Sequence, residues 1–335
     1  RELTHPSSEV VAVVVGLMVG IALLAINWIR VPLSSIRAGG SVDMYFFEAL
    51  SRGISQFGPA ESILMSGGSL RYHWFTYGWA GQLTDAADLA SFVALTRILP
   101  IVSLIGVVLL AASWARSINI GSSRSPSWVP PLAVLLIVFA GYSGALYGGI
   151  LNFDSPSQSL TTVWLLALVI VFLRGLTTIG RDQTGRTAQH VSTRLVPALL
   201  VFAFAVATTG GKASHAIVAL GGFALIALMG TVLRTPWRNQ GILLFLAALA
   251  GVAVTFLIVL SGVGVEQNLT EEISVRASTW QGLDPLTGRW GPLAGTLALV
   301  LAVLARLSGT LWLATERNAR RSPEMFFASG AIAVG

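Results

Sequence analysis

Residues 10–28, VVAVVVGLMVGIALLAINW, form an apolar run without a charged side chain. An α-helix needs about 20 predominantly apolar residues to cross the hydrocarbon core of a bilayer, so this run predicts a transmembrane helix. A secretory signal peptide has a shorter apolar region and a small-residue cleavage site before a polar mature domain, and this pattern is not seen. The stretch therefore indicates a membrane-embedded chain.

The composition of the 335 residues extends this conclusion to the whole chain. Hydrophobic residues make up 54% and charged residues only 11%, with a mean hydropathy of +0.75. Soluble domains carry about a quarter charged residues, and disordered chains have the opposite balance, so both classes are excluded. The net charge of +6 comes from Arg residues scattered between apolar runs, which favours helix anchoring over nucleic-acid binding. The chain has no Cys, which excludes thiolate metal sites and a Cys nucleophile.

Further apolar runs repeat along the chain. After the run at 10–29 they cover 89–113, 128–147, 159–173, 195–209, 215–233, 241–262 and 291–315, and a ninth begins near Met325. The sequence therefore predicts an all-α, polytopic transmembrane bundle of at least eight or nine spans, forming one domain over residues 1–335. Because the chain begins with Arg1 and ends soon after the ninth run begins, we expect a segment of a longer protein that is truncated at its C-terminus.

Alternate linkers between these runs contain more Arg than acidic residues. These linkers are 114–127, 174–194, 234–240 and 316–324. By the positive-inside rule, Arg-rich loops stay in the cytoplasm. We therefore expect the cytoplasmic (inner) membrane as the location, with the N-terminus on its cytoplasmic side. The other linkers then face outward, toward the periplasm or cell exterior: 30–88, 148–158, 210–214 and 263–290.

The first outward linker, 30–88, contains a helical pattern. Phe47, Leu50, Ile54 and Phe57 recur at spacings of three and four residues. This periodicity predicts an amphipathic helix, and we expect it to lie on the membrane surface.

Two acidic residues of the outward linkers are candidates for catalysis. Asp43 precedes the amphipathic pattern, where an acid can also simply favour the start of a helix. Asp154 is the only charge of linker 148–158, and a capping role beside Ser155-Pro156 is its alternative. An ionisable residue at membrane depth is nevertheless a functional candidate by default.

Four basic or titratable side chains are candidates for substrate binding. Arg71 and His73 lie in an aromatic-rich segment, which alternatively marks only the membrane interface. Lys212 is the only lysine, and His215 follows three residues later, on the same helical face. An interfacial lysine can also snorkel to water, but every other fixed cation is Arg, which favours a function for Lys212. Cations at a helix start form an anion site, so these side chains predict binding of a phosphate-bearing substrate.

The residues 43–50 (DMYFFEAL) and 70–75 (LRYHWF), in a long outward loop after the first span, resemble the GT-C superfamily of polytopic glycosyltransferases. Its members include families like the protein O-mannosyltransferases and the arabinosyltransferases. The resemblance extends in topology over most of the chain. It implies an inverting hexosyl- or pentosyltransferase of cell-envelope assembly that uses a polyprenyl-phosphate-linked sugar as donor and a glycan, lipid or protein as acceptor, at the outer face of the membrane.

The resemblance also implies roles for individual residues. Asp43 matches the catalytic acid of the first loop, and Asp154 matches the assisting acid of the next outward loop. The donor phosphate would be held by basic residues near the membrane face, here Lys212, His215 and Arg71. Some members have a doubled acid motif, whereas Met44 follows Asp43 in this chain. Metal dependence stays open for that reason, with Asp43 as the ligand of a divalent cation, Mg²⁺ or Mn²⁺, where one is used.

Two alternatives belong to other functional classes. A transporter or flippase of lipid-linked sugars would have charges near the bilayer midplane and inverted repeats, whereas the candidate charges of this sequence collect on one side. A non-catalytic subunit of an envelope complex would tolerate loss of Asp43 and Lys212.

Overall fold

A computed structural model describes residues 8–30, 42–59, 61–62, 65–70, 74–117, 129–142, 156–177, 187–258 and 322–334. Most of these residues are helical. In chain order the elements are α1 (Ser8–Arg30), α2 (Val42–Phe57), β1 (Glu61–Ser62), β2 (Met65–Ser69), α3 (Phe75–Ala87), α4 (Ser91–Val93 and Leu99–Ser117, joined by the π-helical segment Ala94–Ile98), α5 (Val129–Tyr142), α6 (Pro156–Thr177), α7 (Thr187–Gly211), α8 (Ala213–Val232), α9 (Arg238–Ile258) and α10 (Pro323–Val334).

Six helices are long and apolar enough to cross a membrane, namely α1, α4, α6, α7, α8 and α9. They coincide with six of the apolar runs in the sequence, which confirms a multi-pass helical membrane protein. The runs 159–173 and 195–209 are short in the sequence, and the helices extend beyond both of them. Of the other runs, 128–147 is represented by α5 with 14 residues, the ninth by α10 with 12 residues, and 291–315 lies outside the described residues. The count of eight or nine spans stays a prediction.

The largest apolar core is formed by α6 to α10. At its centre the Phe172 and Phe223 rings stack with centroids 3.9 Å apart and nearly parallel planes. Phe223 also contacts Phe327 of α10. Gly222 and Gly330 lie where α8 and α10 approach so closely that a Cβ at either position would overlap the other helix. A second core joins α1, α4 and α5 through side chains such as Leu104, Val108 and Val134.

The third core corrects the prediction of a membrane-surface helix in the first linker. The helix α2 is present, but Phe47, Leu50 and Ile54 are buried against α3 and the start of α4. Their face is therefore covered by protein and is not available to lipid. Phe57 is the exception, since it is 80% exposed at the end of α2.

A short β-hairpin follows α2 and is an addition to the predicted all-α fold. Gly58 ends the helix with a φ of +76°, a conformation that glycine adopts without steric cost, and its N–H donates to the Ile54 carbonyl over 2.9 Å. The strands β1 and β2 then pair antiparallel.

Several contacts bring the start of α4, the start of α6, the α7–α8 junction and the helices α2 and α3 to one end of the bundle. Arg52 of α2 donates to the Ser91 hydroxyl at the start of α4. At the opposite end, Arg174 near the end of α6 donates to Ser113 near the end of α4. The helices α4 and α6 therefore run parallel. Two of the linkers that the Arg distribution assigns to the outside lie at this end, namely the described residues of 30–88 and the short linker 210–214; we call it the Lys212 end.

Candidate functional site

The break between α7 and α8 consists of a single residue, Lys212. Its backbone is extended, with φ −164° and ψ 107°, while the residues on both sides are helical. The Lys212 N–H donates to the Thr208 carbonyl over 2.9 Å, and its carbonyl accepts the His215 N–H over 3.2 Å. The only lysine of the sequence thus lies at the point where the chain leaves one spanning helix and enters the next.

The Lys212 side chain is held by the neighbouring helix. Its Nζ donates to Oε1 of Gln158 over 3.2 Å, in a partly buried position. Gln158 belongs to the first turn of α6, and its carbonyl accepts the Thr162 hydroxyl. The Gln158 amide is neutral, so this contact is a hydrogen bond and not an ion pair. The arrangement suits the binding of an anion.

His215 lies beside Lys212 on the first turn of α8. Its side chain is partly buried, and the next residue but one, Ile217, is an exposed apolar side chain. The His215 N–H donates to the Lys212 carbonyl, so the two residues adjoin at the start of α8. The first turn of α8 therefore carries two candidate phosphate contacts next to an exposed apolar position.

Two glycines allow the junction to pack tightly, although the turn predicted over 210–214 is shorter than expected. Gly210 and Gly211 are helical, and only Lys212 leaves the helix. A Cβ at Gly210 would lie 2.6 Å from the Phe75 ring. One at Gly211 would overlap the Thr161 hydroxyl and lie 2.7 Å from the Trp164 ring. The glycines are thus needed for close approach to α3 and α6 and not for an unusual φ.

Asp43 lies in the first turn of α2 and is exposed. The next residue, Met44, is buried, and one turn later the Phe47 ring stacks on Tyr77 with centroids 4.9 Å apart. The Ser51 hydroxyl donates to the Tyr77 carbonyl over 2.8 Å. The start of α2 is therefore fixed on α3, with the Asp43 carboxylate toward water.

The helix α3 connects Asp43 with the Lys212 junction. Its first residue, Phe75, packs on Gly210, and two residues later Tyr77 packs on Phe47 of α2. The structure thus brings Lys212 and His215 together directly. Among the described contacts, Asp43 is linked to them only through α3.

Three predicted site residues, Arg71, His73 and Asp154, lie outside the described residues. Their assignment stays a prediction. The 70–75 motif ends with Trp74 and Phe75, whose rings meet edge to face at 4.7 Å, and Phe75 is the residue that contacts the junction.

The acid nearest to Asp43 in the motif serves another purpose. Glu48 accepts from Arg52 over 3.0 Å, in an ion pair one helical turn long. Among the residues that the structure describes, no group of three His, Asp or Glu side chains is arranged to hold a metal ion. Asp43 is the one carboxylate of the described site, so the donor set of a divalent cation is not assembled from these residues.

Sequence analysis missed two residues of this end of the bundle. Gln158 lies at the edge of an apolar run and has no charge, so it gave no signal. Arg97 interrupts the run 89–113, and a charged residue inside a span is a functional candidate. Its guanidinium carbon lies 5.3 Å from the centroid of the Trp28 ring.

No protein-family model matches the chain, and no curated protein or solved structure is detectably similar to it.

Proposed function

We propose that this protein is a membrane glycosyltransferase that moves a sugar from a polyprenyl-phosphate donor to an acceptor hydroxyl at the outer face of the cytoplasmic membrane. One observation carries the proposal. A lone lysine, at a break between two spanning helices, is oriented by a neutral amide at 3.2 Å, at the same end of the bundle as the exposed Asp43. A fixed cation at the membrane edge suits a lipid phosphate, and an exposed carboxylate suits an acceptor that arrives from water.

The reaction follows from these roles. The Asp43 carboxylate accepts the proton of the acceptor hydroxyl, whose oxygen attacks the anomeric carbon of the donor sugar. The bond between that carbon and the phosphate oxygen breaks, and the polyprenyl phosphate leaves with the electron pair. The positive charge of Lys212, together with His215 and Arg71, stabilises the charge that develops on the departing phosphate. Attack opposite to the leaving group inverts the anomeric centre.

The surface of α8 supports entry of the donor from the bilayer. Ile217 is 44% exposed two residues after His215, whereas Ala216 faces the core. The first turn of α8 therefore borders lipid on one side and the bundle on the other. A donor whose chain stays in the bilayer can reach this turn with its phosphate.

The lengths of α7 and α8 argue against a transporter. Transporters place their charges on discontinuous helices near the bilayer midplane. Here 25 residues precede Lys212 and 20 follow it, and each helix is long enough to cross the membrane alone. Lys212 accordingly lies at a membrane edge and not halfway through a span.

The proposal is tested in proteoliposomes that contain the full chain, a radiolabelled polyprenyl-phosphate sugar and an envelope-derived acceptor fraction. We expect a labelled glycan, lipid or protein product that is lost in Asp43→Asn and retained in Glu48→Gln. The second variant is the matched control, because it changes an acid one turn away on the same helix. Wild-type transfer by Asp43→Asn would overturn the proposal, as would movement of the labelled lipid across the bilayer without a new glycosidic bond.

A further inference from the structure

Arg97 is a charged residue inside a membrane-spanning helix, at a local irregularity of that helix. It lies in the π-helical segment Ala94–Ile98 of the span Ser91–Ala115. Short π segments in α-helices occur frequently at functional sites, and an Arg inside a span is costly unless it is held by suitable partners. The position therefore invites an explanation beyond helix anchoring.

The aromatic ring of Trp28 lies against the Arg97 guanidinium. The guanidinium carbon lies 5.3 Å from the ring centroid, and Nη1 donates to the Thr96 carbonyl over 3.3 Å. Both side chains are partly exposed. A guanidinium has five N–H donors in a planar fork, and it can contact both an aromatic face and phosphate oxygens.

The pair lies near the same end of the two spans α1 and α4. Arg97 follows Ser91 by six residues, which corresponds to about 9 Å along a helix. Trp28 is close to the end of α1, the first span, where Trp side chains commonly mark the membrane interface. The pair is thus near the edge of the bilayer at the Lys212 end.

An apolar path leads from Arg97 into the membrane. Ile101 and Ile105 follow at spacings of four residues on α4, and Ile105 is 42% exposed. On α1, Ile21 lies two turns before Trp28 and is 54% exposed. A partly exposed cation followed by exposed apolar side chains along the same helices has the chemistry of a site for a lipid, with the headgroup at Arg97 and a chain along these isoleucines.

We propose that Arg97 and Trp28 bind the phosphate of an anionic bilayer phospholipid. The site is formed by α1 and α4, whereas the proposed donor site is formed by α6, α7 and α8, so the two lipids would be held in different places. The inference does not rest on the proposed function, because it requires only a bilayer at this end of the bundle.

The experiment measures lipid retention by native mass spectrometry of the full chain, released from nanodiscs that contain phosphatidylglycerol and phosphatidylcholine. The variants are Arg97→Gln, Arg97→Lys and Trp28→Phe. Arg174→Gln is the matched control, because it removes one Arg from the opposite end of the bundle. Competition with undecaprenyl phosphate distinguishes a bilayer phospholipid from a donor-like lipid.

We expect wild type and Arg174→Gln to retain phosphatidylglycerol in preference to phosphatidylcholine, because choline offsets the charge of its phosphate. Arg97→Gln should weaken retention about tenfold, the effect of losing one charge-assisted contact. Arg97→Lys and Trp28→Phe should have intermediate effects, since they keep the charge but lose the fork or the better ring. These two conservative variants serve as the test if Arg97→Gln does not fold.

Equal retention of phosphatidylglycerol by wild type and all Arg97 and Trp28 variants would overturn the proposal. Equal losses in Arg97→Gln and Arg174→Gln would also overturn it, because they would indicate unspecific attraction by surface charge. Retention of undecaprenyl phosphate alone would also overturn the proposal, and it would indicate that Arg97 binds the donor lipid.

Discussion

The Lys212 ammonium group donates to the Gln158 side-chain oxygen over 3.2 Å, and this bond ties the α7–α8 break to the first turn of α6. The two residues are 54 positions apart in the chain. Their partly buried contact helps to orient the only lysine of the sequence. The bond is therefore the point at which the proposed phosphate site can be tested with the smallest change of structure.

Gln158→Glu should weaken donor binding without unfolding the protein. The new carboxylate would take the place of the amide, keep the contact with Lys212 and offset its positive charge. We expect the KM for the polyprenyl-phosphate donor to rise about tenfold, the effect of one lost charge-assisted contact, with a smaller change in kcat. The measurement is initial-rate kinetics over a range of donor concentrations.

Gln158→Leu is the matched control for this prediction. It removes the contact and leaves the lysine charged but less well oriented, so its effect on the donor KM should be smaller than that of Gln158→Glu. A donor KM in Gln158→Glu equal to that of wild type would contradict a phosphate-binding role for Lys212.

Gly211→Ala should destabilise the helical hairpin of α7 and α8. The added methyl group would overlap the Thr161 hydroxyl and press on the Trp164 ring. Overpacking of this kind typically costs about 1–3 kcal/mol in the free energy of unfolding. Chemical denaturation in detergent micelles, followed by tryptophan fluorescence, measures the change.

Gly241→Ala is the control, because the nearest atoms to its new Cβ would be 3.6 Å away or farther, in ordinary contact. Ala is the better helix former, so this variant should be as stable as wild type or up to about 1 kcal/mol more stable. Equal destabilisation of the two variants would show that the packing at Gly211 is not special.

The sequence was sufficient for six of the predicted spans, because length and hydropathy alone identify these helices. It also singled out Lys212 and His215, since a lone lysine in an apolar context is visible without a structure. Gln158 could not be found in this way, because a neutral amide at the start of a helix has no hydropathy or charge signal. Its importance depends on a partner in another span. Arg97 is recognisable as a charged residue within a span, but the high mean hydropathy of the surrounding run concealed it.

The amphipathic pattern of α2 was identified correctly as helical, while its environment was not. The spacing of Phe47, Leu50 and Ile54 requires an apolar surface, and both a bilayer and a protein core provide one. Similarly, the glycines 210 and 211 favour a turn by propensity, but contacts with Phe75 and Trp164 stabilise them as helix. Both differences arise from tertiary packing, which a local pattern does not encode.

Phe47→Ala should impair both stability and transfer, because this ring docks α2, and with it Asp43, on Tyr77. Loss of a buried Phe typically costs about 3–5 kcal/mol in the free energy of unfolding. Denaturation curves and transfer rates check the two effects. Phe57→Ala changes a ring of the same helix that is 80% exposed, and it should match wild type in both measurements. A stable, fully active Phe47→Ala would show that the role of Asp43 does not depend on the docking of α2 on Tyr77.

The orientation of the bundle can be tested with single cysteines, because the sequence has no native cysteine to give a background. Ser214 is exposed beside Lys212, and Asn239 is exposed at the start of α9, on the linker that the Arg distribution assigns to the cytoplasm. We expect a membrane-impermeant maleimide to label Ser214→Cys in intact cells and Asn239→Cys only after lysis. The reverse pattern would place the Lys212 end in the cytoplasm. It would then exclude transfer at the outer face, even if Lys212 and Asp43 proved essential.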